Sequence, residues 1–188
     1  GVSPTDIETR AVFVEDRLQI SDRLSLVAAL RYEEMALDRE NFNAAGVLEA
    51  SSFDRDFDWM SWRLGAVFNI TENIVAYAQY SDAKDPVNSN IFLVSAGEDF
   101  DLTDAQQWEV GLKAIFMEGR AEATVAYFDI ERDDVLEQIG VDSAANVGGR
   151  ASHGIEVSAT LAASEQLQVG ANAAYTDAEF SRSANFVS

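Results

Sequence analysis

Apolar and polar residues alternate along most of this chain. Leu24, Leu26, Ala28, Leu30 and Tyr32 interleave with Ser25, Val27, Ala29, Arg31 and Glu33. The same period returns as Trp62, Leu64, Ala66, Phe68 and Ile70 against Ser61, Arg63, Gly65, Val67 and Asn69. It returns again as Trp108, Val110, Leu112, Ala114 and Phe116 against Gln107, Glu109, Gly111, Lys113 and Ile115. Two further runs follow it, Ile155 to Leu161 and Val169 to Tyr175. A period of two means strands with one apolar and one mostly polar face. Less regular stretches at 10–20, 73–82 and 120–131 bring the expected set to eight strands, with no convincing helix.

The connections alternate as strictly as the side chains. Short ones fall at Ser21-Asp22-Arg23, Thr71-Glu72-Asn73, Glu118-Gly119 and Ser164-Glu165; long ones fall near 34–57, 83–105 and 132–151. In an antiparallel meander this puts every short turn at one end and every long loop at the other. Transmembrane barrels are built so, with short periplasmic turns and long extracellular loops. The expected fold is therefore all-β, an antiparallel transmembrane β-barrel or part of one.

Aromatic placement supports a bilayer. Tyr32, Trp62, Tyr80, Trp108, Tyr127 and Tyr175 each stand about eight to ten residues from a short turn, roughly 20 to 25 Å above it on a tilted strand. Trp and Tyr rings favour that interfacial height, so these six form a candidate outer aromatic girdle. Phe68 and Phe116, near short turns, are candidates for a lower one. In the 10–20 strand, Asp16 shares a face with Val12, Val14, Leu18 and Ile20, and a carboxylate facing lipid is costly. A bulge, or a neighbouring domain covering that face, would remove the conflict.

Composition narrows function chiefly by exclusion. The chain has 188 residues and a formal net charge of −20, which disfavours nucleic acid as a partner. It has no cysteine, hence neither disulfides nor thiolate metal sites, and a single histidine, His153. No uncharged run reaches the roughly 18 to 20 residues of a spanning helix. Nearly all the negative charge falls in the long-loop segments 33–58, 82–109, 129–150 and 177–188. That distribution would repel a strongly anionic ligand and mildly favours a neutral or cationic one.

No catalytic constellation, cofactor-binding motif or metal-ligand set emerges. Asp54, Asp56 and Asp58 have the alternate spacing of a calcium loop but lack its glycine and its closing Glu, so a strand with its carboxylates on one face is the better account. Gly148-Gly149 before Arg150 lacks a nucleotide-binding strand–helix unit and reads as a tight turn. Asp133-Asp134 reads as solvated charge, and His153 as a structural or surface residue.

Several stretches together resemble the barrel of TonB-dependent outer-membrane receptors, the siderophore-receptor type in particular. Phe13-Val14-Glu15-Asp16-Arg17-Leu18-Gln19-Ile20-Ser21-Asp22-Arg23-Leu24-Ser25-Leu26 is similar to the family's strand, turn and returning strand. Trp62-Arg63-Leu64-Gly65-Ala66-Val67-Phe68 with Tyr77-Ala78-Gln79-Tyr80-Ser81 is similar to its next hairpin. Gln107-Trp108-Glu109-Val110-Gly111-Leu112-Lys113 with Ala126-Tyr127-Phe128-Asp129-Ile130 is the most telling pair. His153-Gly154-Ile155-Glu156-Val157 and Ala174-Tyr175-Thr176-Asp177-Ala178 resemble the strands that usually follow.

The resemblance implies part of a transporter in the bacterial cell outer membrane. Such a transporter imports a ferric siderophore or similar chelate without converting it, and takes its energy from a TonB complex. Residues 1–188 would then be a partial barrel, with the plug, the TonB-contacting N-terminal region and the C-terminal strands absent from it. Arg31, Arg63, Glu109, Lys113 and Glu156 would line the lumen and hold the plug, and the opposite face would contact outer-membrane lipid. Phe92 and Phe100 could pack on a bound chelate, or bury locally within their loop. Two alternatives stay open: a self-contained eight-stranded outer-membrane barrel with a structural or adhesive role, and a soluble β-sandwich binding module.

Overall fold

The computed structural model describes residues 2–49, 51–85, 100–140 and 143–182. Eight strands form one sheet: β1 (Thr5–Gln19), β2 (Leu24–Arg39), β3 (Phe53–Asn69), β4 (Ile74–Asp85), β5 (Thr103–Phe116), β6 (Ala121–Gly140), β7 (Ser143–Ser164) and β8 (Leu167–Arg182). Each pairs antiparallel with its sequence neighbour, in the order β1 to β8. β1 and β8 are the edges, so the sheet does not close on itself. That corrects the self-contained barrel, which would pair β1 with β8. A single sheet likewise leaves a sandwich without its second layer.

Two of the four short connections are closed by one scheme, a backbone hydrogen bond and a hydroxyl that the sequence makes available. Ile20 N–H donates to the Leu24 carbonyl at 2.9 Å, and the Ser21 hydroxyl accepts from Leu24 N–H at 3.2 Å. The Thr71 turn repeats the scheme, with Ile70 N–H on the Ile74 carbonyl at 2.9 Å and Asn73 N–H on the Thr71 hydroxyl at 3.2 Å. The β5–β6 turn runs through positive φ at Met117, Glu118 and Gly119. Only the glycine adopts that region without steric cost.

The far end differs from the sequence expectation. β2 and β3 continue to Arg39 and from Phe53, and β6 and β7 run to Gly140 and from Ser143. Residues 132–140 and 143–151 are therefore strand rather than parts of a long loop. Alternation fades there because this part of the hairpin has no lipid-facing side, so no single face must be apolar. Gly148 and Gly149 do not form a turn. They lie in β7, Gly148 opposite Val135, beside register shifts on both sides of the strand. Asp54, Asp56 and Asp58 sit on one exposed face of β3, as the strand account requires.

Register assigns every side chain to one of two faces. One carries Val14, Leu30, Leu64, Val110, Val157 and Val169, all exposed. The other carries Arg31, Ser61, Gln79, Glu109, Thr124, Glu156 and Asn172. We call these the outer and inner faces. A continuous band of exposed aliphatic side chains is a surface that lipid covers and water does not. Asp16 stands on the outer face, opposite Ala28, and the β1–β2 register runs unbroken from Thr5↔Arg39 to Gln19↔Ser25. No bulge turns that carboxylate away, which leaves coverage by a neighbouring element as its account.

Glycine matters most where the backbone is closest. A Cβ on Gly154 would strike the Tyr175 carbonyl oxygen and stand 2.8 Å from the Phe128 ring, whereas one on Gly170 would meet nothing nearer than 3.6 Å. Gly154→Ala should lower the stability of the intact protein by about 2 to 3 kcal/mol, and Gly170→Ala should change it little. Urea unfolding in detergent, followed by the loss of the fast-migrating folded band on unheated gels, checks both; equal effects would contradict the packing described.

Candidate functional site

The inner face carries a polar wall in its lower and middle part. Tyr77 on β4 lies across Gly111 of β5, where a Cβ would come within 2.5 Å of the ring. Its hydroxyl donates to Glu109 Oε1 at 2.6 Å, and Gln79 Nε2 donates to Glu109 Oε2 at 3.2 Å. Gln107 approaches the same oxygen at 3.5 Å. Tyr77, Glu109, Thr124, Glu156, Ser158 and Asn172 share one groove, with Glu156 rising from β7. Among the described residues, Glu156 makes no hydrogen bond or ion pair, and no base approaches Glu109. The wall thus presents two carboxylates without a cation between them.

Three other inward charges are locally matched. Arg63 pairs with Glu15, Lys113 with Glu122 at 2.8 Å, and Arg31 with Glu33 at 2.9 Å. These pairs are substantially exposed, and such pairs contribute at most about 1 kcal/mol each. All five residues expected on the lumen side (Arg31, Arg63, Glu109, Lys113 and Glu156) lie on this one face. All six girdle aromatics lie on the opposite one. Their rings form a band, with Trp62 and Tyr80 centroids 5.3 Å apart and Trp108 and Tyr127 5.2 Å apart. His153 is on the outer face, in register between Asp129 and Asp177, its ring 6.4 Å from that of Tyr127.

Above the girdle, the inner face becomes apolar and closes over itself. Leu37 of β2, Phe100, Leu136 of β6 and Ala144 of β7 are buried together, with Phe53 and Phe57 packed against them. Met35, Trp59 and Leu102 form an adjoining cluster. β2 and β6 are four strands apart in the sheet, so this contact requires the sheet to curl toward its inner face. β6 contributes by breaking register between Arg132 and Val135, where Asp134 takes φ of 54°. Asn146 fastens the fold. Its amide donates to the carbonyls of Asp101 at 2.9 Å and Asp134 at 2.6 Å, and its oxygen accepts from Asp101 N–H at 2.9 Å.

Phe100 lies at the centre of this cluster, 4% exposed. Arg55 stacks on its ring at 4.4 Å and donates to its carbonyl at 2.9 Å. Phe92 lies outside the described residues. The sequence reading missed Leu37, Phe53, Phe57, Trp59 and Leu136. A signal for three of them was present: Phe53, Phe57 and Trp59 alternate with Asp54, Asp56 and Asp58, and the aspartates alone drew notice.

Charge is sorted by face at this height. Carboxylates on seven strands point outward, including a single rung of Asp6, Asp38 and Asp54. Of the two bases among them, Arg10 pairs with Glu8 at 2.7 Å and Lys84 with Asp104. Arg39, Arg55, Arg132 and Arg150 stand instead on the inner face. The Arg132 guanidinium is held below its ordinary pKa, by burial first and by neighbouring Arg150 second.

The open curled sheet, its apolar outer belt and its polar inner wall define a segment of a transmembrane-type β-barrel. The chain belongs to the TonB-dependent receptor-like β-barrel family, whose model matches residues 2–188. It is 25% identical over 183 residues to a probable TonB-dependent siderophore receptor, PiuA of Acinetobacter baumannii, covering 94% of this chain and 24% of that one. It is 26% identical over 176 residues to a ferrichrome outer membrane transporter and phage receptor of Escherichia coli K12, covering 90% and 22%. The crystal structure of PiuA superposes with a TM-score of 0.82 at 22% identity, covering 95% of this chain and 26% of that chain. The chain thus spans about a quarter of the length of these two relatives.

Phe100→Ala should cost about 3 kcal/mol of local stability, as truncation of a buried aromatic does. Hydrogen exchange at residues 101–103 should accelerate while the strands below the girdle stay protected. Unchanged exchange at 101–103 would show that the ring does not hold this segment down.

Proposed function

We propose that this chain is part of an outer-membrane TonB-dependent transporter that imports a ferric siderophore or similar chelate without chemical conversion. The observation that carries the reading is the division of one sheet into a lipid-type outer belt and an inner wall of charged and amide side chains. A wall of that kind faces water or protein, so the curl encloses a path rather than a dry core. Family membership and siderophore-receptor relatives support the same reading.

Roles follow from position. Val14, Leu64, Val110 and Val169 contact outer-membrane lipid, and the six girdle aromatics set the depth of the sheet in the bilayer. The inner wall holds a plug domain supplied by another part of the receptor. Glu109 and Glu156 are its foremost contacts, because two carboxylates sharing a groove without a base are stabilised by a cationic side chain brought from outside. The mouth cluster around Phe100 shapes the entry. Energy comes from a TonB complex acting on the plug's side of the receptor.

The test compares cells lacking the natural protein with complemented cells under iron limitation, following uptake of radioactive iron chelates. Uptake of at least one chelate should depend on the protein and collapse when the proton-motive force is dissipated. In the same cells, the Glu109→Gln, Glu156→Gln double variant should admit large antibiotics normally excluded by the outer membrane, as a loosened plug would. Uptake indifferent to both the protein and the proton-motive force would overturn the transport reading.

A further inference from the structure

We propose that Asp16 is one half of an ion pair within the bilayer, and that its partner is a lysine or arginine on the receptor strand that closes the free edge of β1. The inference rests on the outer belt being a lipid surface, as in the reading above, and is independent of what the receptor carries. Between the short turns and the girdle, the outer face of all eight strands is apolar among the described residues, with Asp16 as its one charge. A carboxylate facing hydrocarbon is costly unless a partner reaches it.

Every described neighbour of Asp16 on this face is apolar. Val14 and Leu18 flank it along β1, Ala28 stands directly opposite on β2, and Leu26 and Leu30 lie on the diagonals. The nearest bases stand on the other face. Arg17 donates to the Ser25 hydroxyl at 3.4 Å, and Arg63 pairs with Glu15. One side of Asp16 remains, the edge of β1 that carries no strand in this sheet. In hydrocarbon a spanning strand must be hydrogen-bonded along both edges, so another strand of the receptor lies there. Pairing brings one outer-face residue of that strand to about 4.5 to 5.5 Å from Asp16, Cβ to Cβ. An ammonium or guanidinium group at that position supplies both the opposite charge and the hydrogen-bond donors that a carboxylate needs.

Such a pair adds selectivity more than stability, because two charges taken out of water lose in hydration much of what they gain in attraction. Its value lies in what the alternatives cost. A slip of one residue between β1 and its neighbour would turn the base to the inner face and leave Asp16 alone in lipid. A slip of two would set both charges against apolar side chains. Asp16 therefore fixes which strand meets this edge, and in which register.

Asp16→Leu gives opposite results with and without the pair. The intact receptor, reconstituted in phosphatidylcholine vesicles, is unfolded in urea, and the half-time is read from loss of the fast-migrating folded band. With a base opposite, Asp16→Leu leaves that base uncompensated, and the half-time should shorten about tenfold. Changing the base to leucine as well should restore it. The base is located by disulfide formation between Asp16→Cys and single cysteines along the neighbouring strand. Leu64→Asp is the control on the same rung, since Ala28 pairs with both Asp16 and Leu64; it should also shorten the half-time, because a new carboxylate would face lipid. A half-time unchanged or lengthened by Asp16→Leu, or an apolar residue at the cross-linked position, would overturn the pair. Shortening seen only in vesicles containing phosphatidylethanolamine would overturn it in favour of a lipid amine. A harmless Leu64→Asp would instead overturn the lipid-facing reading on which the pair rests.

Discussion

Every other feature of this protein depends on the antiparallel backbone ladder. In a bilayer, an unpaired N–H or C=O costs several kcal/mol, so a spanning strand must pair along its whole buried length. The ladder here obeys that constraint where it matters. From β1 through β6 the pairing runs without a register shift through the belt between the short turns and the girdle. The shifts in β6–β7 and β7–β8 fall above the girdle or at the Ala162–Ser164 turn. Irregular backbone is confined to places where water or buried polar side chains can complete the hydrogen bonding. An unbroken register in turn assigns each residue to one of the two faces, since a slip of one position would invert both.

The two faces then solve different packing problems. The outer one needs little besides aliphatic bulk and a band of aromatics at the right height. The inner one has to fit a curled surface, and it does so by laying aromatic rings over glycines. Tyr77 covers Gly111, and Phe128 covers Gly154. Each glycine lets a ring lie flat on the neighbouring strand, so the wall stays smooth while its polar groups remain available. At the mouth, inward Phe53, Phe57 and Trp59 replace the polar wall with a small core that joins strands far apart in the sheet.

The belt was legible in the sequence because lipid and lumen demand opposite polarity, and period two then becomes visible. Trp62, Leu64 and Ala66 against Ser61, Arg63 and Gly65 could hardly be read otherwise. Beyond the girdle that demand lapses. The outer face meets water and the inner face partly buries itself, so the polarity code inverts on β3, with aspartates outward and aromatics inward. A reading tuned to outward apolar residues takes such a stretch for loop, as it does residues 132–140 and 143–151. Position along the chain locates acids at one end, but only register shows that Arg39, Arg55, Arg132 and Arg150 at that end stand on the opposite face. The cluster that gathers Leu37 and Leu136 around Phe100 follows from curl and a bulge, neither of which leaves a local sequence mark.

The central claim is that register divides this sheet into a lipid face and a lumen face, and β3 offers the most direct measurement. The chain contains no cysteine, so this region accepts single cysteines for spin labels without background. In the intact receptor, reconstituted in lipid, labels at Met60, Trp62, Leu64, Ala66 and Phe68 should be relaxed by oxygen dissolved in the bilayer. Labels at Ser61, Arg63 and Val67 should respond instead to a water-soluble nickel complex or be shielded by protein. Two out-of-phase accessibilities, each of period two, are the predicted result. Accessibility to nickel on both faces, or oxygen and nickel rising in phase, would contradict the account.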